Sequence, residues 1–263
     1  MFLTILHNNI MVNMDMEVKF KLDINPDKLG DTILIAGLPG MGYTGKQAVD
    51  HLIKVLNAEK ISDFKSPYLN SPVITTVNGI VEDLKEELFT FYHAETSKYD
   101  ILLFTGAVQP PSAEWQHYVS YAAIEAVKEF RIKWLFTLAA TPIEYYKYDV
   151  RVYGVATSKD LLDYLIVNGV IPMPGEGVIS GMNGLLLGYA KKSNIEAASL
   201  LAETYLISGR DFIAPYVILK TLSRIIKYEF DLKELEDRAK AFHMEYTSKV
   251  KKKEEKKGLG YIS

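Results

Sequence analysis

The stretch from Thr32 to Ile53, TILIAGLPGMGYTGKQAVDHLI, constrains the fold of this chain more than any other. A β-branched run, Thr32 to Ala36, reads as a buried strand, and an amphipathic helix begins after the glycines Gly37, Gly40, Gly42 and Gly45. This is the layout of phosphate-binding loops, in which glycines let the backbone approach a phosphate and the helix N-terminus offers free N–H groups. The spacing Gly40–x4–Gly45–Lys46 follows the P-loop pattern as far as its lysine. The next position, where a Ser or Thr hydroxyl would hold magnesium, is Gln47. The other phasing, GLPGMG, wants a lysine at 43 and has Tyr43. Gly40, Gly42, Gly45 and Lys46 are therefore candidate nucleotide-binding residues. The competing reading is a tight strand-to-helix turn whose small residues let the helix pack closely.

The rest of the chain alternates in the same way. The first helix, Tyr43 to Leu56, carries Ala48, Leu52, Val55 and Leu56 on one apolar face. AEKISDF (58–64), VITTV (73–77) and ELFTFYHA (87–94) read as strands, with turns at Asn70-Ser71-Pro72 and Asn78-Gly79. DILLFTGA (100–107) is apolar throughout, as a central strand should be. Pro110-Pro111 stops it, and Ser112 can cap a helix from Ala113 to Phe130. KWLFTLAA and DVRVYGVA are further strands, and Ser158 caps a helix to about Val167. The Gly/Pro cluster 169–177 is a loop, and Met182 to Lys192 a helix; IEAASLLAE suits either strand or helix. Such alternation argues a mixed, mostly parallel sheet with helices on both faces. Phe212 to Tyr228 is an apolar helix, and Asp231 with Glu234 forms a D-x-x-E capping box for a long charged one. The expected organisation is a disordered or over-extended N-terminus (1–16), an α/β core (17–230), a charged helix (231–253) and a flexible tail (254–263).

Composition closes off several functions. There are no cysteines, which excludes disulfides, thiolate metal sites and cysteine nucleophiles. A net charge of −3 gives no whole-chain reason to expect nucleic-acid binding. The opening MFLTILHNNIMV lacks a basic n-region and a small-x-small cleavage site. The uncharged runs 101–113 and 177–190 fall short of the ~20 apolar residues that span a bilayer. A cytoplasmic protein without a membrane partner is expected.

Catalytic constellations are thin. A Walker B strand should end in aspartate, yet DILLFTGA ends at Thr105-Gly106 and KWLFTLAA at Ala140-Thr141. Glu114 and His117 supply only half of a di-iron pattern, and Asp50-His51 are adjacent on a helix and diverge. Ser180 in GVISGMNG lacks the glycines of a nucleophile elbow. No catalytic residue, metal site or cofactor is assigned, which points away from an enzyme. The long C-terminal helix has an apolar stripe, Leu235, Phe242 and Tyr246, expected to be buried between subunits. Beyond it, Leu259, Tyr261, Ile262 and the Ser263 carboxylate suit capture in a partner's pocket, an aromatic anchor giving affinity and a cation receiving the carboxylate.

Two blocks together resemble the proteasome assembly chaperone family. GLPGMGYTGKQAVDHLI is similar to its G-x-P-G-x-G-x-x-G-x-x-A-x-x-x-I signature, and GEGVISGMNGLLLGYAKKSNIEAASLLAET to its second block. The closing helices in VILKTLSRIIKYEFDLKELEDRA also fit, so the resemblance runs from about Gly30 to Phe242. It implies a three-layer α/β/α sandwich similar to phosphorylases and hydrolases, with added C-terminal helices and no established catalytic site. It further implies an archaeal homologue that forms a homo-oligomer and assists proteasome α-ring assembly without ATP, its partners being proteasome α subunits and itself. Some family members present a terminal hydrophobic–tyrosine–any-residue motif to pockets between α subunits. Here Tyr261 is third from the end and Ile262 holds the penultimate place. The family also resembles ATP-grasp enzymes, which leaves an ATP-dependent ligase using the glycine turn as the alternative.

Overall fold

A computed structural model describes residues 17–20, 27, 29–65, 76–83, 89–206 and 209–258. Its centre is four parallel strands, β7 (Asp100–Gly106), β2 (Thr32–Gly37), β8 (Ile132–Pro142) and β11 (Ala197–Thr204), side by side in that order. Antiparallel strands extend this core on both sides. Beside β7 lie β6 (Phe89–Glu95), β3 (Glu59–Lys65) and β1 (Glu17–Phe20). Beside β11 lie β9 (Val152–Ala156), antiparallel to it, and the short β10 (Ile171–Pro172), which pairs parallel with β9.

The central strands are apolar on both sides because both faces are covered. On one face α1 (Thr44–Val55), α3 (Lys159–Val167), α5 (Ile213–Ile226) and α6 (Lys233–Gly258) enclose Ile33, Ile35, Phe136, Leu138 and Leu200. On the other, α2 (Ala113–Ala126) and α4 (Gly181–Lys192) cover Leu34, Ala36, Phe104 and Leu135. The two sets alternate along each strand, as the pleat requires. The result is the expected three-layer α/β/α sandwich with a mixed sheet. β2 sends its helix to one face and its neighbour β7 sends its helix to the other, so the chain parts above their C-terminal ends. Open α/β sheets bind ligands at such a switch point.

Ser112 and Ser158 cap α2 and α3 as expected, accepting from Trp115 N at 3.3 Å and Leu161 N at 3.2 Å. IEAASLLAE resolves as β11, buried along its whole length. Of the expected strand 73–77 only Thr76–Val77 is described; it forms β4 and pairs with β5 (Ile80–Val81). Asn78 and Gly79 both have positive φ, 51° and 79°, as a two-residue hairpin turn of mirror type demands. A simpler cap replaces the expected capping box: Asp231 Oδ1 accepts from Lys233 N, two residues on, at 3.0 Å, while the Glu234 carboxylate turns to Lys54 and Arg238. Among the described residues no helix is long and apolar enough to cross a membrane.

Candidate functional site

The glycine turn is built around close packing. A Cβ on Gly45 would stand 2.0 Å from the Leu138 carbonyl oxygen, and one on Gly37 would stand 2.1 Å from that of Gly45. Only hydrogen at these positions lets α1 lie against β2 and β8. The turn is then tied to the start of α5. Gly42, at φ 61°, accepts at its carbonyl from Asp211 N (2.9 Å) and from Gln47 Nε2 (3.0 Å). Gln47 Nε2 also donates to the Asp211 carbonyl at 2.7 Å. The buried Asp211 carboxylate caps α5 through Ile213 N (2.7 Å) and Ala214 N (3.2 Å), and receives the Thr204 hydroxyl at 2.6 Å. Gln47, which stands where a P-loop has its magnesium ligand, is therefore a strut between loops. Lys46 forms an ion pair with Asp50, one helical turn on. An anionic Asp211 against the turn and a lysine engaged elsewhere make a poor cradle for a phosphate.

Above the C-terminal ends of β2, β8 and β11 lies a cavity of about 820 Å³. Gly40 and Gly45 are in its wall; Gly42 and Lys46 are not. Gln109, just beyond β7, holds the mouth together: its Nε2 donates to the Pro39 carbonyl at 2.6 Å and its Oε1 accepts from Met182 N at 3.2 Å. The lining is mainly apolar, including Leu38, Met41, Met173, Leu187 and Leu201, and its polar side chains are Gln109, Thr141, Ser180 and Asn183. Among the described residues no charged side chain lines it.

The other sequence candidates fall apart in space. His51 points inward to the Asp231 carbonyl (2.7 Å) while Asp50 holds Lys46. His117 Nδ1 meets the Tyr189 hydroxyl at 3.0 Å. Ser180 precedes α4 and makes no side-chain cap bond. Among the described residues there is no cluster of three or more His, Asp or Glu able to hold a metal.

The C-terminal helix is fixed at its base and gripped along its middle. Asp231 meets His51, and Lys54 pairs with Glu234 at 2.5 Å. Leu235 is 4% exposed and packs into the core of its own chain. Phe242 and Tyr246 are half-buried against an aromatic clamp supplied by the β8–β9 connection and the segments around β11 and α5. Tyr246 stacks on Tyr146 at 3.8 Å, Phe242 lies 5.8 Å from Phe212, and His243 Nδ1 meets the Tyr146 hydroxyl at 2.8 Å. Burial, reinforced by the negative charge of Asp211, pushes the Tyr146 phenol up to about 12. Leu259, Tyr261, Ile262 and Ser263 lie outside the described residues.

Sequence reasoning missed this clamp, although the run TPIEYYKYDV, dense in tyrosine, carried the signal. It also missed Glu203, 1% exposed on β11, which anchors the same connection. Arg151 donates to it from the backbone N (2.7 Å), Nε (2.9 Å) and Nη2 (2.6 Å), and Lys147 forms a further ion pair. Burial alone would raise this carboxyl; the Arg151 and Lys147 contacts outweigh it and hold it at about 2.

The comparisons with known proteins agree with this architecture. Residues 34–249 match the PAC2 family. An uncharacterised protein of Methanocaldococcus jannaschii is 29% identical over 235 residues, 89% of this chain and 87% of that protein. The crystal structure of Pyrococcus furiosus PbaB, an archaeal proteasome activator, is similar with a TM-score of 0.75 and 27% identity, over 90% of this chain and 99% of that one. Pyrococcus furiosus PbaA, an archaeal homologue of proteasome-assembly chaperone, shares the fold at a TM-score of 0.69 and 21% identity, over 92% and 99%. A match that runs from β2 into α6 takes in the glycine turn, the cavity and the clamp alike, and on that ground the chain belongs to the PAC2 family.

Proposed function

We propose that this protein is a proteasome assembly chaperone or activator that works through protein contacts, without ATP, as a cytoplasmic homo-oligomer. The observation that carries the reading is the likeness to the proteasome activator PbaB, 27% identical over 90% of this chain. Two features of the site support it. Lys46 is paired with Asp50, and among the described residues the cavity beside the turn has no charged side chain to receive a phosphate. In this reading the segment after the C-terminal helix is the contact, with proteasome α subunits as the partner.

The test is to mix the purified full chain with α-rings or assembled 20S proteasome from the same organism and follow complex formation by size exclusion with light scattering. A complex that forms equally with and without Mg-ATP is expected. The absence of any complex, or one formed only with Mg-ATP, overturns the proposal.

A further inference from the structure

Residues 66–88 join β3 to β6, antiparallel neighbours that a two-residue turn could connect. Instead the connection carries a hairpin of its own, β4 and β5. Two such short strands are at best marginally stable alone in water. Every residue from Thr76 to Asp83 is nevertheless exposed, with Val77, Ile80 and Val81 at 49%, 73% and 62%. Val77 pairs with Ile80 across the turn, so these two side chains lie together on one face of the hairpin. Clustered apolar side chains left in solvent mark an interaction surface, and the cover for this tip lies outside its own chain.

Where the hairpin is rooted, and what it carries, select that cover. Phe89 pairs with Gly106, the last residue of β7, so the connection leaves from the C-terminal edge of the parallel strands. The cavity of about 820 Å³ lies over the same edge. Its lining among the described residues is mainly apolar and uncharged, and Val178 on its lip is 93% exposed. The tip, TVNGIV (76–81), is likewise uncharged, and the acidic residues Glu82 and Asp83 begin only behind it. Neither surface loses the hydration of an ion when the two meet. The hydroxyls of Thr141 and Ser180 in the wall suit the polar turn Asn78-Gly79. Pockets of roughly 300–1,000 Å³ take drug-sized molecules, and Val77-Asn78-Gly79-Ile80 is a unit of that order. The exposure of the tip shows that it does not fill the cavity of its own chain. We infer that the tip of the β4–β5 hairpin inserts into this cavity of a second copy of the chain. Hairpin and cavity share one edge, so two copies facing each other across a two-fold axis exchange tips reciprocally, and the association closes at a dimer. The inference rests on the homo-oligomeric reading above and names the surfaces that make it.

The chain has no cysteine, so introduced thiols report on this contact alone. Full-length Ile80→Cys is mixed with size-tagged Val178→Cys and oxidised, and a parallel sample pairs Ile80→Cys with Val167→Cys, an exposed α3 position outside the cavity. Each chain carries one thiol, so every disulfide joins two copies. Docking holds the first pair of thiols at a far higher local concentration than free solution does, so its mixed disulfide should exceed that of the control at least ~10-fold. Light scattering across a dilution series of wild type and Ile80→Asp gives the second readout. The variant places a charge in an uncharged cavity and loses an apolar side chain, and its dimer should dissociate at a concentration at least ~10-fold higher. Ile80 is exposed in the single chain, so an unchanged urea midpoint is expected for the unassociated variant. If the wild type is oligomeric but the control pair cross-links as well as the cavity pair, or Ile80→Asp associates as the wild type does, the inference falls and the homo-oligomeric reading stands. A wild type that is monomeric throughout the series overturns both.

Discussion

Replacing Glu203 by Gln tests the anchor of the β8–β9 connection. The change keeps the shape and removes the charge, so an amide N–H₂ faces donors on Arg151 and Lys147 that had shared a carboxylate. The carboxyl is held at about 2 against an ordinary value of 4.5. That difference corresponds to about 3 kcal/mol of stabilisation. Lys147 is 35% exposed and Arg151 55%, so solvent screens part of it and about 2–3 kcal/mol is the expected cost. The folded pKa lies below the unfolded one, so the contribution is complete above about pH 4.5 and disappears as pH falls through about 2. Urea unfolding of wild type and variant at pH 7, 5 and 3 measures it. The gap should be equal at pH 7 and 5 and fall to less than half at pH 3. A gap that is absent at pH 7, or that persists undiminished at pH 3, refutes the assignment of stability to this carboxylate.

Two glycines of the turn should behave oppositely under the same substitution. Gly45→Ala drives a methyl into the Leu138 carbonyl and is expected to cost 3 kcal/mol or more in urea unfolding by the upper range of overpacking, ~3 kcal/mol; Gly40→Ala meets nothing within 4 Å and should be silent, and equal effects would break the packing argument. For the proposed tail contact, deleting residues 259–263 should weaken α-ring binding at least ~10-fold, since burying one aromatic side chain is worth roughly 1.5–3 kcal/mol; unchanged binding of the shortened chain makes the tail a bystander. For the proposed homo-oligomer, light scattering should give a mass above that of one chain. Phe242→Glu should lower it through the part of the ring left uncovered by the clamp, and an unchanged mass confines Phe242 to its own chain.

The layered fold was legible because its signals are local. Apolar strands with turn residues behind them, and serines placed three residues before an amide they can cap, need no knowledge of distant neighbours. IEAASLLAE was ambiguous for the opposite reason: a strand buried on both faces has no alternation to read, and only its neighbours β8 and β9 decide it. The glycine turn was legible as a strand-to-helix junction, but its purpose was not. The Leu138 carbonyl that makes Gly45 obligatory lies 93 residues away in sequence (138 − 45). The apolar stripe of α6 was visible, yet whether its face met a second subunit or its own chain depended on Tyr146, Tyr205 and Phe212, which sequence spacing cannot bring together. Glu203 was invisible for a similar reason, since a polar residue is informative only once its burial is known.

Among the described side chains the aromatic grip on α6 ends at Tyr246, and the helix continues to Gly258. Those last twelve residues rise ~18 Å, and each advances the azimuth by about 100°. The helix therefore acts as a ruler and a dial at once, setting the distance and the compass direction from which the chain's end departs. Removing one residue from this span changes the length by only ~1.5 Å but swings the departure direction by about 100°. Removing seven, close to two full turns, shortens it by ~10 Å and nearly restores the bearing. Relatives that keep the same outgoing direction should therefore differ in this span by three, four or seven residues and avoid single-residue changes.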